Sequence, residues 1–385
     1  MKDTIVIGAS IAQKPGYGGH TWVFLQYLLG FRRLGWNVML LDRLTNDMCC
    51  DAAGNPCAGA ASENVRYLST TMERFGLGDD FSLMGDGGET IAGRSRDDVL
   101  DCLRRSALLF NVMGFVDDPE LLAAANHRVF LDIDPGLAQI WCDLGLHDAF
   151  TGHDSFVTIG ENIGREDCPV PTCGLDWITS PQPVVLDEWP AASERGGAIT
   201  SVGSWRGANG VLNYGGRRYG QRVHEFRHFL ALPQLTSAQF ELALSIHFAE
   251  TADLRGLADH GWTLVDPRVV AGDPDTYRDY IRDSAAELMV AKGLYAVSQC
   301  GWFSDRSICY LASGRPVIAQ DTGIDDLYPT STGLLTFTTV QEAAAAVDAV
   351  IADYERHARA ARELAEAHFD SDLVLGRLLG QLEVA

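Results

Sequence analysis

The chain has 385 residues, 46% of them apolar and 21% charged, a balance that excludes disorder, collagen or coiled coil as a global description. A single core stops growing near ~250–300 residues, so two domains are expected. Thirty basic against 52 acidic residues give a formal charge of −22, which argues against general nucleic-acid binding and against docking on anionic membranes.

Residues 4–8 read as a buried strand, short, β-branched and ended by Gly8. A glycine-rich loop, Gly16-Tyr17-Gly18-Gly19-His20, leads into a helix from Thr21 to Leu34, with Phe24, Leu25, Leu28 and Phe31 at helical spacing and Gly35 as its stop. The next strand is 37–41, and strand, loop, helix and strand together open a parallel α/β sheet. Further strands are expected at 107–113, 129–133 and 156–160, with 44–62 as a surface excursion. Pro169, Pro171, Pro181, Pro183 and Pro190 mark a stretch without periodicity, read as a linker.

The second half repeats this grammar. Strands are expected at 197–203, 240–246, 262–265, 287–291 and 316–320, with helices near 221–231, 252–259, 276–284 and 304–312. Asp273-Pro274 reads as a helix start, and Thr339 with Glu342 as a capping box for one long helix from 340 to about 367, followed by a last helix at 372–383. The nine cysteines contain no C-x-x-C pair, which argues against structural zinc and for reduced thiols. With no signal-peptide core and no run of eighteen apolar residues, a cytoplasmic protein is expected.

In parallel sheets, ligands sit at the carboxyl ends of strands, where loops and helix N-termini point. The loop with Gly18 and Gly19 allows close approach of an acceptor or donor, and His20 at its mouth is a candidate general base. A dinucleotide site would place a third glycine where Thr21 stands, although Asp42 lies at the right distance for a ribose. Ser304, Arg306 and Ser307 open a helix and suit a diphosphate, while Gln320 and Asp321 end the following strand within reach of sugar hydroxyls. Asp132 and Asp134 spell D-x-D, but no metal is expected there.

The run Leu311-Ala312-Ser313-Gly314-Arg315-Pro316-Val317-Ile318-Ala319-Gln320-Asp321-Thr322-Gly323 resembles the C-terminal donor signature of GT-B glycosyltransferases. The glycine loop, helix and LGWNV strand resemble the start of the same fold. Across nearly the whole chain, including LDIDPG, GENIG, TCGLDWI and GWFSDRSICYLASG, the likeness is to an actinobacterial group labelled only as glycosyltransferases; a weaker one is to spore-maturation-type glycosyltransferases. The resemblance implies two Rossmann-like, doubly wound parallel-sheet domains facing a central cleft: an acceptor domain (1–180), a linker (181–196), a donor domain (197–368) and a C-terminal helix (369–385) packing back on the first domain.

It further implies a nucleotide-sugar donor, UDP- or TDP-linked ahead of GDP, a small natural product as acceptor, and a metal-independent enzyme without cofactor, monomeric or homodimeric. Gly203, Ser204, Arg206 and Lys292 would join Ser304 and Arg306 on the donor phosphates. His20 would be the base, oriented by Asp117 or Asp118, with Glu161 as a second base. Trp205 would stack on the base or simply pack. One departure stands out: the paired glutamates of the retaining pattern fall on Gly301 and Cys309. A non-catalytic nucleotide-sugar binder, a sugar-nucleotide 2-epimerase and an NAD(P)-dependent oxidoreductase are the rival readings.

Overall fold

The computed structural model describes residues 3–207 and 209–384. Two sheets organise the chain. The first joins β1 (Thr4–Ala9), β2 (Asn37–Arg43), β3 (Phe81–Met84), β4 (Thr90–Gly93), β5 (Ser106–Val112), β6 (Arg128–Asp132), β7 (Ser155–Thr158) and β8 (Trp177–Thr179). Their order is β4-β3-β2-β1-β5-β6-β7-β8, parallel except for the edge strand β4. The central β1 is apolar on both faces because helices cover both sides, so it carries a continuous β-branched run rather than an alternating one.

The second half adds β9 (Ile199–Ser204), a hairpin of β10 (Leu212–Tyr214) and β11 (Arg217–Tyr219), then β12 (Phe240–Ser245), β13 (Thr263–Val265), β14 (Ala286–Met289), β15 (Val317–Gln320) and β16 (Leu334–Phe337). Its main sheet is wholly parallel, in the order β13-β12-β9-β14-β15-β16. Each sheet reverses winding beside its first strand, which places a crevice at the carboxyl ends of β1/β5 and of β9/β14.

Three sequence expectations are corrected. The 168–190 stretch is not all linker, since β8 pairs with β7 inside it. The long helix after Thr339 breaks at Asp353 (φ −138°) into Val340–Ala352 and Tyr354–Leu364, and a wider turn, Ala365–Phe369, follows. Segments 63–74 and 96–105, given no element from sequence, are capped helices whose Ser62 and Ser95 side chains accept backbone N–H bonds.

The two halves are joined by more than a linker. Trp22 packs on Trp189 (4.9 Å between centroids), Trp189 on Tyr277, and Phe303 on Phe369, so one apolar core runs through both sheets. Asn162 of the first half donates to the carbonyls of Gln299 and Gly323 in the second, at 3.0 and 2.9 Å. The C-terminal helix Ser371–Gln381 lies against helix Gly18–Arg33; a Cβ on Gly30 would stand 2.5 Å from Leu375. Among the described residues no helix is long and apolar enough to cross a membrane.

Candidate active site

The carboxyl ends of the two sheets face one cleft containing two adjoining cavities. The larger, about 600 Å³, lies between the first-domain loop carrying Tyr17 and His20 and the ends of β9, β12 and β13. The second, about 400 Å³, lies between Lys14 and Asp134 of the first domain and Arg222 and Lys292 of the second. Gly203, Ser204 and Arg306 border both and mark where they meet.

That junction is cationic. Arg306, in the first turn of helix Asp305–Ala312, forms a buried ion pair with Glu287 and donates to the Val202 carbonyl at 2.8 Å. Its Nη2 has no hydrogen-bond partner among the described residues. Burial works against its charge, but Glu287, Tyr277 and Asp305 outweigh that and hold its pKa up. Arg222 makes no hydrogen bond or ion pair among the described residues, and its Nε is buried and unpartnered. Burial, and then the charge of Arg306, bring its pKa down to about 10, so it stays protonated at neutral pH. Two guanidinium groups held side by side, one without a carboxylate, form a site for an anion.

The loop with Gly18 and Gly19 does not open toward the cleft along its whole length. A Cβ on Gly18 would stand 2.1 Å from the Asp273 carbonyl oxygen, and one on Gly19 would stand 2.7 Å from the Tyr277 ring. These glycines let the first domain's helix dock on the second domain, with Gly18 N–H bonded to the Ala271 carbonyl at 2.9 Å. Asp42 is not a free ribose ligand. It is buried and accepts from the backbone N–H groups of Ala12 (2.7 Å) and Arg43 (2.6 Å), so it pins the loop from below. Burial raises its pKa to about 7 against those hydrogen bonds.

His20 borders the larger cavity, with Nε2 3.2 Å from the Ser10 hydroxyl and 3.1 Å from its carbonyl oxygen. Burial, and then Lys14, lower its pKa to about 3. The carboxylates expected to orient it are engaged elsewhere. Asp117 pairs with Arg43, while Asp118 caps helix Pro119–Ala124 and pairs with Arg96 at 2.7 Å. Burial pulls Asp118 upward, but Arg96 and two backbone N–H groups hold its carboxyl below the usual range. Glu161 lies outside both cavities, bonded to the Tyr328 hydroxyl, and burial raises its pKa.

The remaining expected residues divide in the same way. Ser204 borders both cavities. Lys292 reaches the second cavity, but its ammonium is held by both oxygens of Asp134, at 2.7 and 2.9 Å. The exposed Arg206 pairs with Glu250. Trp205 is buried and donates to Asp253 at 2.8 Å, so it packs. Ser304 caps its helix, and Ser307 is buried with an unpartnered hydroxyl. Gln320 bonds to the Ala291 N–H and to Glu225, and Asp321 caps the turn at Gly323 and Ile324.

The two missing glutamates have a structural counterpart. Gly301 has φ +75° and lies against Asn162, while Cys309 is 2% exposed, with Sγ 3.7 Å from Gln26 Nε2 of the first domain. Asp305, one turn before Cys309, instead borders the larger cavity; burial raises its pKa, opposed by Arg306 and by a hydrogen bond from its own backbone N–H. The D-x-D pair does not share a strand face. Asp132 ends β6, buried between Gln139 (2.6 Å) and Thr158 (2.8 Å), and Asp134 lies past the strand in the cleft. Among the described residues no group of three His, Cys, Asp or Glu side chains is placed to hold a metal ion.

Sequence reasoning missed Arg222, Lys14 and Asp134 as cleft residues. A local signal existed for the first: 205–228 holds Arg206, Arg217, Arg218, Arg222 and Arg227 against Glu225 alone, in a chain of net charge −22.

No protein-family model matches the chain, and no curated protein matches it in sequence, so the narrower likeness to the actinobacterial group rests on its motifs. Solved structures do match its fold. Anabaena Alr3699/HepE in complex with UDP aligns over 100% of both chains at 10% identity and a TM-score of 0.57. An alpha-glucosyltransferase in complex with UDP-glucose and DNA containing an abasic site aligns over 100% of this chain and 99% of its own, at 11% identity and a TM-score of 0.59. Sucrose-phosphate synthase from Thermosynechococcus elongatus aligns over 99% of both at 12% identity and a TM-score of 0.55. The chain has the GT-B glycosyltransferase fold, two Rossmann-like domains around a central cleft.

Proposed function

We propose that the protein is a glycosyltransferase that moves a sugar from a pyrimidine nucleoside diphosphate to a hydroxyl of a small acceptor. The observation that carries this reading is Arg222, a guanidinium with no carboxylate partner among the described residues, set beside Arg306 at the end of β9. In this reading the nucleoside fills the larger cavity, and the diphosphate lies at Ser204, Arg222 and Arg306. The sugar extends into the second cavity.

The bond between the sugar C1 and the diphosphate oxygen breaks, and its electron pair leaves on the diphosphate. The acceptor oxygen bonds to C1 and gives up its proton. Side-chain cations meet the leaving charge, so the chemistry asks for no divalent ion. His20, with its proton affinity suppressed, is a weak base; Asp134 is the carboxylate that the second cavity presents. The charge of −22 supports a small acceptor over nucleic acid.

Binding of UDP, TDP, GDP, ADP and NAD, measured by calorimetry, tests the donor site. UDP or TDP is expected to bind, and Arg222→Ala to weaken it about ten-fold or more, as loss of a charge-assisted contact does. Binding of NAD alone, or unchanged affinity in Arg222→Ala, overturns the reading.

A further inference from the structure

The second cavity carries positive charge beyond the guanidinium pair at its junction with the larger one. Beyond Arg222 and Arg306, Lys14 from the first domain and Lys292 from the second approach the single carboxylate of Asp134. Asp134 is already satisfied: Lys292 binds both of its oxygens, and the Tyr295 hydroxyl donates to one of them. The Lys14 ammonium has no hydrogen bond or ion pair among the described residues, yet it lies close enough to feel both charges. Burial, and then Lys292, lower its pKa, with Asp134 opposing.

Two ammonium groups facing one carboxylate leave a surplus of one positive charge where the transferred sugar meets the acceptor. The chain has only three lysines, and two of them meet here although the whole molecule is strongly acidic. The hairpin that borders the same cavity through Leu212 and Tyr219 carries Arg217 and Arg218 outside the cavity lining, both exposed and without ion pairs among the described residues. Like charges gathered this way are costly until an anion joins them.

We infer that the second cavity selects a substrate with an anionic group of its own besides the diphosphate, read by Lys14 with Lys292: a carboxylate on the donor sugar, or a phosphate on the acceptor. The inference rests on the nucleotide-sugar reading and names the substrate class of the same site. The two sources share one chemistry, and two arms of one experiment separate them.

The first arm compares UDP-glucuronate with UDP-glucose by calorimetry on the full chain. The second compares glucose 6-phosphate with glucose in the presence of saturating UDP. In one arm the anionic member should bind about ten-fold tighter or more than its neutral counterpart, the scale of one charge-assisted contact. Lys14→Met should abolish that preference while leaving the affinity for UDP within about two-fold, because Lys14 lies beyond the diphosphate, and Lys14→Arg should keep it. A wild-type protein that binds UDP and shows no anionic preference in either arm overturns the inference and leaves the donor reading standing. So does a preference that survives in Lys14→Met. A wild type that binds neither UDP nor TDP removes the donor reading, and this inference with it.

Discussion

Arg222 lies across Gly203, so that a Cβ on the glycine would stand 1.9 Å from the arginine Nη1. The glycine is the last residue but one of β9, and only a residue without a side chain lets the guanidinium reach the junction of the two cavities. Gly203→Ala is therefore expected to displace Arg222 rather than the backbone, because the obstructed group is the far end of a flexible side chain. Thermal stability should change little, by under ~1 kcal/mol, while the affinity for UDP falls about ten-fold. A variant that binds UDP like the wild type would separate Arg222 from the diphosphate.

Cys309 stands where the resemblance to the retaining pattern would put a glutamate, and its surroundings do not suit a carboxylate. It is buried among Gln26, Tyr277 and the Asp305 carbonyl, inside the seam between domains. Cys309→Glu is expected to destabilise the chain by about 3–5 kcal/mol, the scale of an unpaired buried charge, and not to tighten UDP binding. Cys309→Ala, which introduces no charge, should cost about 1 kcal/mol. Urea denaturation of both variants checks this. A stable Cys309→Glu protein with improved UDP affinity would show that the seam opens around the ligand.

Much of the architecture was legible in the sequence because buried parallel strands carry their signal locally. The β-branched runs of β1, β9 and β15, each followed by a polar loop, are enough to suggest two sheets and a cleft between them. The cleft's chemistry is less local. Arg222 becomes a cleft residue only because a hairpin inserted after β9 returns the chain to Gly203, a fact of tertiary structure with no periodic trace. Gly18 reads as ligand-binding, since a close approach looks the same in sequence whether the partner is a substrate or, as here, the Asp273 carbonyl; Gly19 packs on the Tyr277 ring and also borders the larger cavity. Asp134 reads in sequence only as half of a D-x-D metal motif at which no metal is expected; that it lies past the end of β6, in the cleft, is a fact of the fold. The helix break at Asp353 left no proline or glycine to announce it.

His20 carries a pH signature that does not depend on any substrate. Its folded-state pKa, about 3, lies below the ordinary value of 6.5, so the native protein excludes a proton that the unfolded chain binds. The stability this contributes is fully present above pH 6.5 and is lost as pH falls toward 3. Asp42 acts in the opposite sense: with its carboxyl raised to about 7, its contribution is lost as pH rises from about 4 to 7. Comparing variants with wild type isolates each term. Between pH 7 and pH 4.5, His20→Gln should lose about 2 kcal/mol less stability than wild type in urea titrations. Equal losses would mean that His20 protonates freely in the folded state.

The assignment of the proton acceptor separates two residues on different walls of the cleft. His20 faces the larger cavity with its ring bonded to Ser10, and among the described residues no carboxylate is bonded to it. Asp134 faces the second cavity, oriented by Lys292 and Tyr295, where a bound sugar would present C1 to an acceptor. General-base catalysis contributes about 10²–10⁴-fold. Asp134→Asn keeps the shape and the Tyr295 hydrogen bond but removes the basic oxygen pair. It should lower turnover of the donor, including slow transfer to water, about 10²-fold or more, with UDP affinity unchanged. His20→Gln should cost less than about ten-fold. The two variants give opposite rankings under the two assignments, so a single-turnover assay of UDP release decides between them. If His20→Gln proves the more damaging, Ser10 becomes the group that holds the imidazole in its reactive tautomer, and the suppressed pKa marks a base poised to protonate only when the leaving diphosphate stands beside it.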